Sequence, residues 1–208
     1  MTIFRNPVKL YFSPGACSLA PRIALIASGL PFDSERVNLR TKLTEAGEDF
    51  RTINPKGYVP ALGLDDGHLL TESQVILQYV ADQAPAGALA PATGTFERYE
   101  SMEWLAWTST ELHKRFSPIF APGASSEAKE AAWAALAAPL TYVAGQVGDD
   151  GYLMGDDFTV ADAYLFTVLN WVGFTSFSLD NWPALQAYHA RIKALPAVQE
   201  ALRQEGLQ

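Results

Sequence analysis

The chain has 208 residues, 49% hydrophobic and 18% charged, the balance of a globular protein long enough to bury a core as one large domain or two small ones. Its net charge of −8 argues against nucleic acid, whose phosphates demand a basic face, and against docking on anionic membranes. The single cysteine, Cys17, rules out an intramolecular disulfide, so an oxidising compartment would give this fold no staple.

In chain order, the start is no signal peptide: Arg5, Asn6, Pro7 and Lys9 break every apolar run from Met1 to Phe12. Val8 to Phe12 reads as a strand. Pro14-Gly15 then punctuates a turn. Leu19, Ile23, Ile26 and Leu30 recur at three or four residues, predicting a helix over 19–28 that Gly29 and Pro31 end. Ser34 to Leu39 alternates enough for a second strand, and 44–51 is a charged helical or loop segment. Asp66-Gly67, between Ala61-Leu62-Gly63-Leu64 and His68-Leu69-Leu70, signals a hairpin. A helix over 72–84 follows, with Val75, Ile76, Tyr79 and Val80 on one face. The order β-α-β-α-β-β-α makes residues 1–84 an α/β layer.

Residues 85–95, rich in proline, glycine and alanine, read as a linker, and 96–208 as all-helical. One long amphipathic helix is predicted over 96–120 and an alanine-rich one over 126–147, kinked at Pro139. Thr159-Val-Ala-Asp162 is a capping box before an apolar helix reaching Phe174. Two shorter helices, 182–195 and 197–202, are split by Pro196. The apolar stretch 161–174 holds Asp162 and Asn170 and is too short to span a bilayer, so the expected location is the cytoplasm.

Cys17 sits where strand gives way to helix. A helix start offers free N–H groups and the positive end of the macrodipole. A sulfur anion is stabilised there, whether it belongs to Cys17 or to a bound thiol; the alternative is a small buried hydrophobe. Val59-Pro60 opens the hairpin strand. With a cis bond, the Val59 amide and carbonyl would turn outward to pair with an extended peptide; otherwise this is an ordinary turn. Glu72-Ser73 opens a helix either as a receptor for carboxylate and ammonium or as a plain cap. His113, in Thr110-Glu-Leu-His-Lys114, is one of three histidines and is either functional or an idle surface residue. No metal is expected, because no His/Cys/Asp/Glu cluster has ligand spacing, and no glycine-rich phosphate loop occurs.

Five segments in order, Ser13-Pro-Gly-Ala-Cys-Ser18, Asn54-Pro-Lys-Gly-Tyr-Val-Pro-Ala-Leu62, Leu70-Thr-Glu-Ser73, Thr110-Glu-Leu-His-Lys114 and Phe158-Thr-Val-Ala-Asp-Ala163, resemble a bacterial glutathione transferase of the beta class. The resemblance runs from about Val8 to the C-terminus. It implies a thioredoxin-like domain at 1–84 that binds glutathione and an all-helical domain at 96–208 that carries an acceptor pocket. Pro60 would be cis, with Val59 pairing with the cysteinyl backbone of glutathione. Glu72 and Ser73 would hold the γ-glutamyl end, and Lys42 the glycine carboxylate. Ala16 and Cys17 would border the glutathione sulfur, and Cys17 could form a mixed disulfide with it. His113 would reach the same sulfur, making Cys17 and His113 the catalytic pair. Thr110 and Glu111 would complete the site from the second subunit of a homodimer. Phe12, Phe116, Tyr164 and Trp171 are the expected walls for a hydrophobic electrophile.

Two positions depart from the family. Phe12 stands where many members carry tyrosine, and Ala106 where asparagine often faces the neighbouring subunit's glutathione. The absence of a second cysteine excludes internal disulfide turnover. The implied chemistry is thiolate attack on an electrophilic carbon, with peroxidase activity or thiol exchange through Cys17 as companions. Lowering a thiol pKa by about two units from 8.5 gains only about threefold once the loss of nucleophilicity is counted, so positioning must supply more of the rate. The alternative on this scaffold is a non-catalytic carrier of glutathione or apolar ligands. A glutathione-dependent dehalogenase or isomerase is a narrower enzyme reading.

Overall fold

A computed structural model describes residues 7–148 and 151–207, so half of the segment read as lacking a signal peptide lies outside the described residues. Alternation along β1 (Val8–Phe12) sorts its side chains: Val8, Leu10 and Phe12 enter the main core, and Tyr11 a smaller cluster on the other face. β1 runs parallel to β2 (Phe32–Asn38), reached through α1 (Leu19–Ser28), and antiparallel to β4 (Ala61–Gly63). β4 pairs with β5 (Leu69–Thr71) across the turn that Asp66-Gly67 signalled, where Gly67 has φ 85°. A short β3 (Leu43–Thr44) extends the far edge, giving a mixed sheet of order β3-β2-β1-β4-β5. β2 starts at Phe32 rather than Ser34 because Phe32 is in register with Val8, a pairing that local alternation does not reveal. The charged segment after it forms α2 (Phe50–Ile53), whose fully buried Phe50 covers the Tyr11 face.

α1 and α3 (Ser73–Gln83) pack together against the opposite face. α1 also packs on α7 (Val160–Asn170) and α9 (Pro196–Glu205), so one apolar cluster runs through both halves of the chain. α7 is buried from Val160 to Leu169 and starts at the predicted capping box. There the buried Asp162 accepts from Thr159 N (2.8 Å), Thr159 Oγ1 (2.9 Å), Leu153 N (2.8 Å) and Tyr188 Oη (2.7 Å).

Three helical expectations need correction. α4 (Phe96–Trp107) does not continue to Phe120: Thr108–His113 is π-helical, α5 (Lys114–Phe116) is a single turn, and Phe120 lies in the turns beyond. A π segment shifts the side chains that follow it relative to the helical repeat, and such segments recur at functional sites. α6 (Ser126–Ala144) stops short of Val147 and keeps Pro139 within its length. α7 gives way to a 3₁₀ turn at Trp171–Phe174, before α8 (Pro183–Lys193) and α9. Among the described residues no helix is long and apolar enough to cross a membrane.

Candidate functional site

A cleft of about 1320 Å³ is lined from the sheet half by Ala16, Cys17, Val59, Pro60, Glu72 and Ser73, and from the helical half by Thr110, His113, Tyr164 and Trp171. His113 therefore reaches the Cys17 region within one chain. The Val59–Pro60 bond is cis. The loop ahead of it is fixed by the buried Asn54, whose Nδ2 donates to Tyr58 O (2.7 Å) and whose Oδ1 accepts from Lys56 N (3.2 Å). Val59 O accepts from the Cys17 thiol (3.3 Å), and among the described residues nothing accepts from Val59 N–H. That amide is free to pair with an extended ligand.

Cys17 is not the stabilised thiolate that the helix start suggested. α1 begins only at Leu19, with Ser18 as its N-cap. Burial pushes the Cys17 thiol up to about 11, aided by the charge of Glu72, and outweighs hydrogen bonding to Ser73 and to the Cys17 and Ser18 amides. Such a thiol is about 0.01% ionised at pH 7. Cys17 is thus a hydrogen-bond donor, and the sulfur anion this loop favours is a ligand's. Alkylation of this sole thiol by iodoacetamide should accelerate about tenfold per pH unit from pH 7 to 10. A plateau near pH 9, that of an ordinary thiol, would contradict the assignment.

The loop before Cys17 is clamped from the helical half. Gly15 N donates to Glu205 Oε2 on α9 (2.8 Å), and Gly15 O accepts from Trp171 Nε1 (2.8 Å). Gly15 has φ 72°, which strains any residue with a Cβ, and a Cβ there would also press on the Phe174 ring at 3.2 Å. Glu205 Oε1 also accepts from Arg22 Nε (3.0 Å), both side chains being essentially inaccessible.

His113, the last residue of the π-helical segment, has its Nδ1 2.8 Å from Tyr164 Oη. Burial, with the charge of Lys114, lowers the His113 pKa to about 4, so the imidazole is neutral at pH 7. Burial pushes the Tyr164 phenol up, against hydrogen bonding from Ser109 and Ser73, and it stays protonated. Trp171 packs edge-on against the imidazole at 4.7 Å and holds its plane.

The acceptor walls differ in part from the prediction. Phe12 points into the core, where the Arg22 guanidinium lies 4.0 Å from its ring centroid, and Phe116 is fully buried beneath Trp171 and Phe120. Neither lines the cleft. The apolar wall consists of Trp171, Phe120, Phe174 and Leu207, with Phe120 and Phe174 about half exposed. Tyr164 does line the cleft, but with a hydroxyl that works on His113. Lys42 stands outside the lining: its Nζ donates to Gly57 O (2.8 Å) and lies over the Tyr58 ring. Glu111 also lies outside it, paired with Arg115, whereas Thr110 lines its own chain's cleft and donates to Ala106 O (3.2 Å). Sequence reasoning missed Lys56, Tyr58, Ser109 and Lys114 as lining residues, although Lys56, Tyr58 and Lys114 fall inside motifs it quoted. Among the described residues no group of three or more His, Cys, Asp or Glu could hold a metal ion.

The family profile "Glutathione S-transferase, N-terminal domain" matches residues 15–83, and "Glutathione S-transferase, C-terminal domain" matches 107–196. Glutathione S-transferase GstA of Escherichia coli O157:H7 is 44% identical over 200 residues, covering 96% of this chain and all of that one. The bacterial beta class glutathione S-transferase of Sphingomonas chungbukensis superposes with a TM-score of 0.91 at 48% identity, over 96% of this chain and all of that one. A sphingomonad glutathione S-transferase complexed with glutathione gives 0.90 at 48% identity, with the same coverage. The chain belongs to the glutathione S-transferase family, in its bacterial beta class.

Proposed function

We propose that the protein transfers the thiol of glutathione to hydrophobic electrophiles in this cleft. The observation that carries the reading is the cleft's two-sided lining. A polar floor of Cys17, Val59, Glu72 and Ser73 faces an apolar wall of Trp171, Phe120, Phe174 and Leu207. On this reading the tripeptide lies along Val59 N–H, its γ-glutamyl end is held at Glu72 and Ser73, and its sulfur points to Cys17 and His113. Cys17 S–H, turning from Val59 O, and the neutral imidazole then donate hydrogen bonds to the ligand's sulfur anion. If Tyr164 donates to Nδ1, the Nε2 proton remains for that sulfur. Holding the anion against an electrophile on the aromatic wall supplies the greater part of the rate. Exchange through a Cys17–glutathione disulfide and peroxidase activity are secondary, because a thiol with pKa about 11 is a poor attacking group at neutral pH.

A homodimer is part of the proposal, and Phe96, Tyr99 and Met102 along α4 with Val75 on α3 are exposed apolar groups that a second copy would cover. Glu111, outside its own chain's cleft, would face the partner's glutathione across that contact. Lys42, held near Gly57, would meet the glycine carboxylate. A cytoplasmic site and a detoxifying role complete the reading.

A second reading is a carrier that binds without turnover, since β1 turns Phe12 into the core and presents no phenol to the sulfur, and Ala106 offers no amide to the neighbouring subunit's glutathione. Calorimetric titration with glutathione, run beside conjugation assays on an aryl halide, an epoxide and a hydroperoxide, separates the two. Saturable binding with turnover of unrelated electrophiles supports the transferase. Binding without turnover supports the carrier, and turnover of one substrate alone the narrower dehalogenase or isomerase.

A further inference from the structure

We propose that Lys56 is a specificity residue for the amino-acid end of the ligand, its ammonium binding the free α-carboxylate of a γ-glutamyl group whose own ammonium is held by Glu72. The inference rests on the glutathione reading above and extends it to a residue outside the predicted set. Lys56 and Glu72 both line the cleft, and Lys56 Nζ lies 2.8 Å from Glu72 Oε1 and 2.9 Å from Thr71 Oγ1. The lysine backbone is fixed, because Lys56 N donates to the buried Asn54 Oδ1 and Gly57 N donates to Asn54 O (2.8 Å). The side chain itself is more than half exposed.

Glu72 holds φ 72°, a left-handed conformation uncommon for a residue with a Cβ. It stands at the N-cap of α3 without making a side-chain cap bond, so its carboxylate does not serve the helix. Strain without local benefit is a mark of a functional position. The charges of the cleft complete the case. Its ionised lining consists of Lys56 and Lys114 against Glu72, a local balance of +1 in a chain of −8. A γ-glutamyl tripeptide with a neutral thiol carries two carboxylates and one ammonium, the inverse set.

Binding is then an exchange of partners. The ligand's ammonium takes the place of Lys56 on Glu72, and its α-carboxylate takes the place of Glu72 on Lys56. The ion pair that opens is solvent-exposed and weakly held, while the two new pairs form inside the occupied cleft with less water around them. Neither Lys56 nor Glu72 is left without a partner before or after.

The test is calorimetric titration of the full chain and of Lys56→Met with two peptides: glutathione, and γ-aminobutyryl-cysteinyl-glycine, which lacks only the α-carboxylate. Wild type should bind glutathione about tenfold more tightly than the analogue. Lys56→Met should lose most of that factor for glutathione and bind the analogue unchanged, and Lys56→Arg should restore discrimination. An equal loss for both peptides, or an unchanged preference for glutathione in Lys56→Met, overturns the assignment and leaves the glutathione reading standing. Wild type that binds neither peptide overturns both.

Discussion

Truncating Glu205 to alanine should lower the melting temperature by about 10 °C and slow glutathione conjugation at the same time. Glu205 and Arg22 form a buried ion pair, and removing one member strands the other's charge in the core. That costs about 3–5 kcal/mol, and a chain of this length loses about 2–4 °C per kcal/mol. The loss is sharpened by Arg22 Nη2, which already has no hydrogen-bond partner among the described residues. Activity falls for a separate reason: the same carboxylate holds Gly15 N, two residues ahead of Cys17. The double variant Arg22→Met/Glu205→Leu separates the effects. Apolar replacement of a buried pair is often neutral, so stability should return, while Gly15 N–H stays without its acceptor and turnover stays low. Recovery of both stability and turnover would show that the clamp serves the fold alone.

His113→Ala should reduce kcat and kcat/KM together by about 10–100-fold, the signature of a contact that matters most in the transition state. Tyr164→Phe should cost less, because it removes the group that orients the imidazole and leaves the imidazole in place. The imidazole should not titrate between pH 5 and 8, since burial holds its pKa near 4. Proton NMR of the His113 ring checks this directly: resonances that move with a midpoint near 6.5 would contradict a buried neutral donor.

The local devices of this fold were readable from the chain. The helix over 19–28, the Asp66-Gly67 turn and the Thr159–Asp162 capping box are each set by residues within a few positions of one another, and each is found as predicted. The π segment was not readable, because its apolar spacing is that of a helix and only the tertiary packing around His113 shows the extra residue. Aromatic residues on amphipathic helices cannot be assigned to core or cleft by periodicity. Phe116 and Phe120 differ by one helical step in sequence, yet one is sealed and the other is half exposed. The thiol shows the same limit. Amide hydrogen bonds near Cys17 are local and favour the anion, but the burial that outweighs them belongs to the folded packing and leaves no local pattern. The Glu205 clamp joins residues 190 positions apart and leaves no local mark.

Everything turns on where the tripeptide sits, and a crystal soaked in saturating glutathione answers that. The account predicts density with the cysteinyl backbone on Val59 N–H, the γ-glutamyl ammonium at Glu72, and the sulfur within about 4 Å of both Cys17 and His113. A vacant cleft at saturation, or a peptide bound with its sulfur away from that pair, would contradict it.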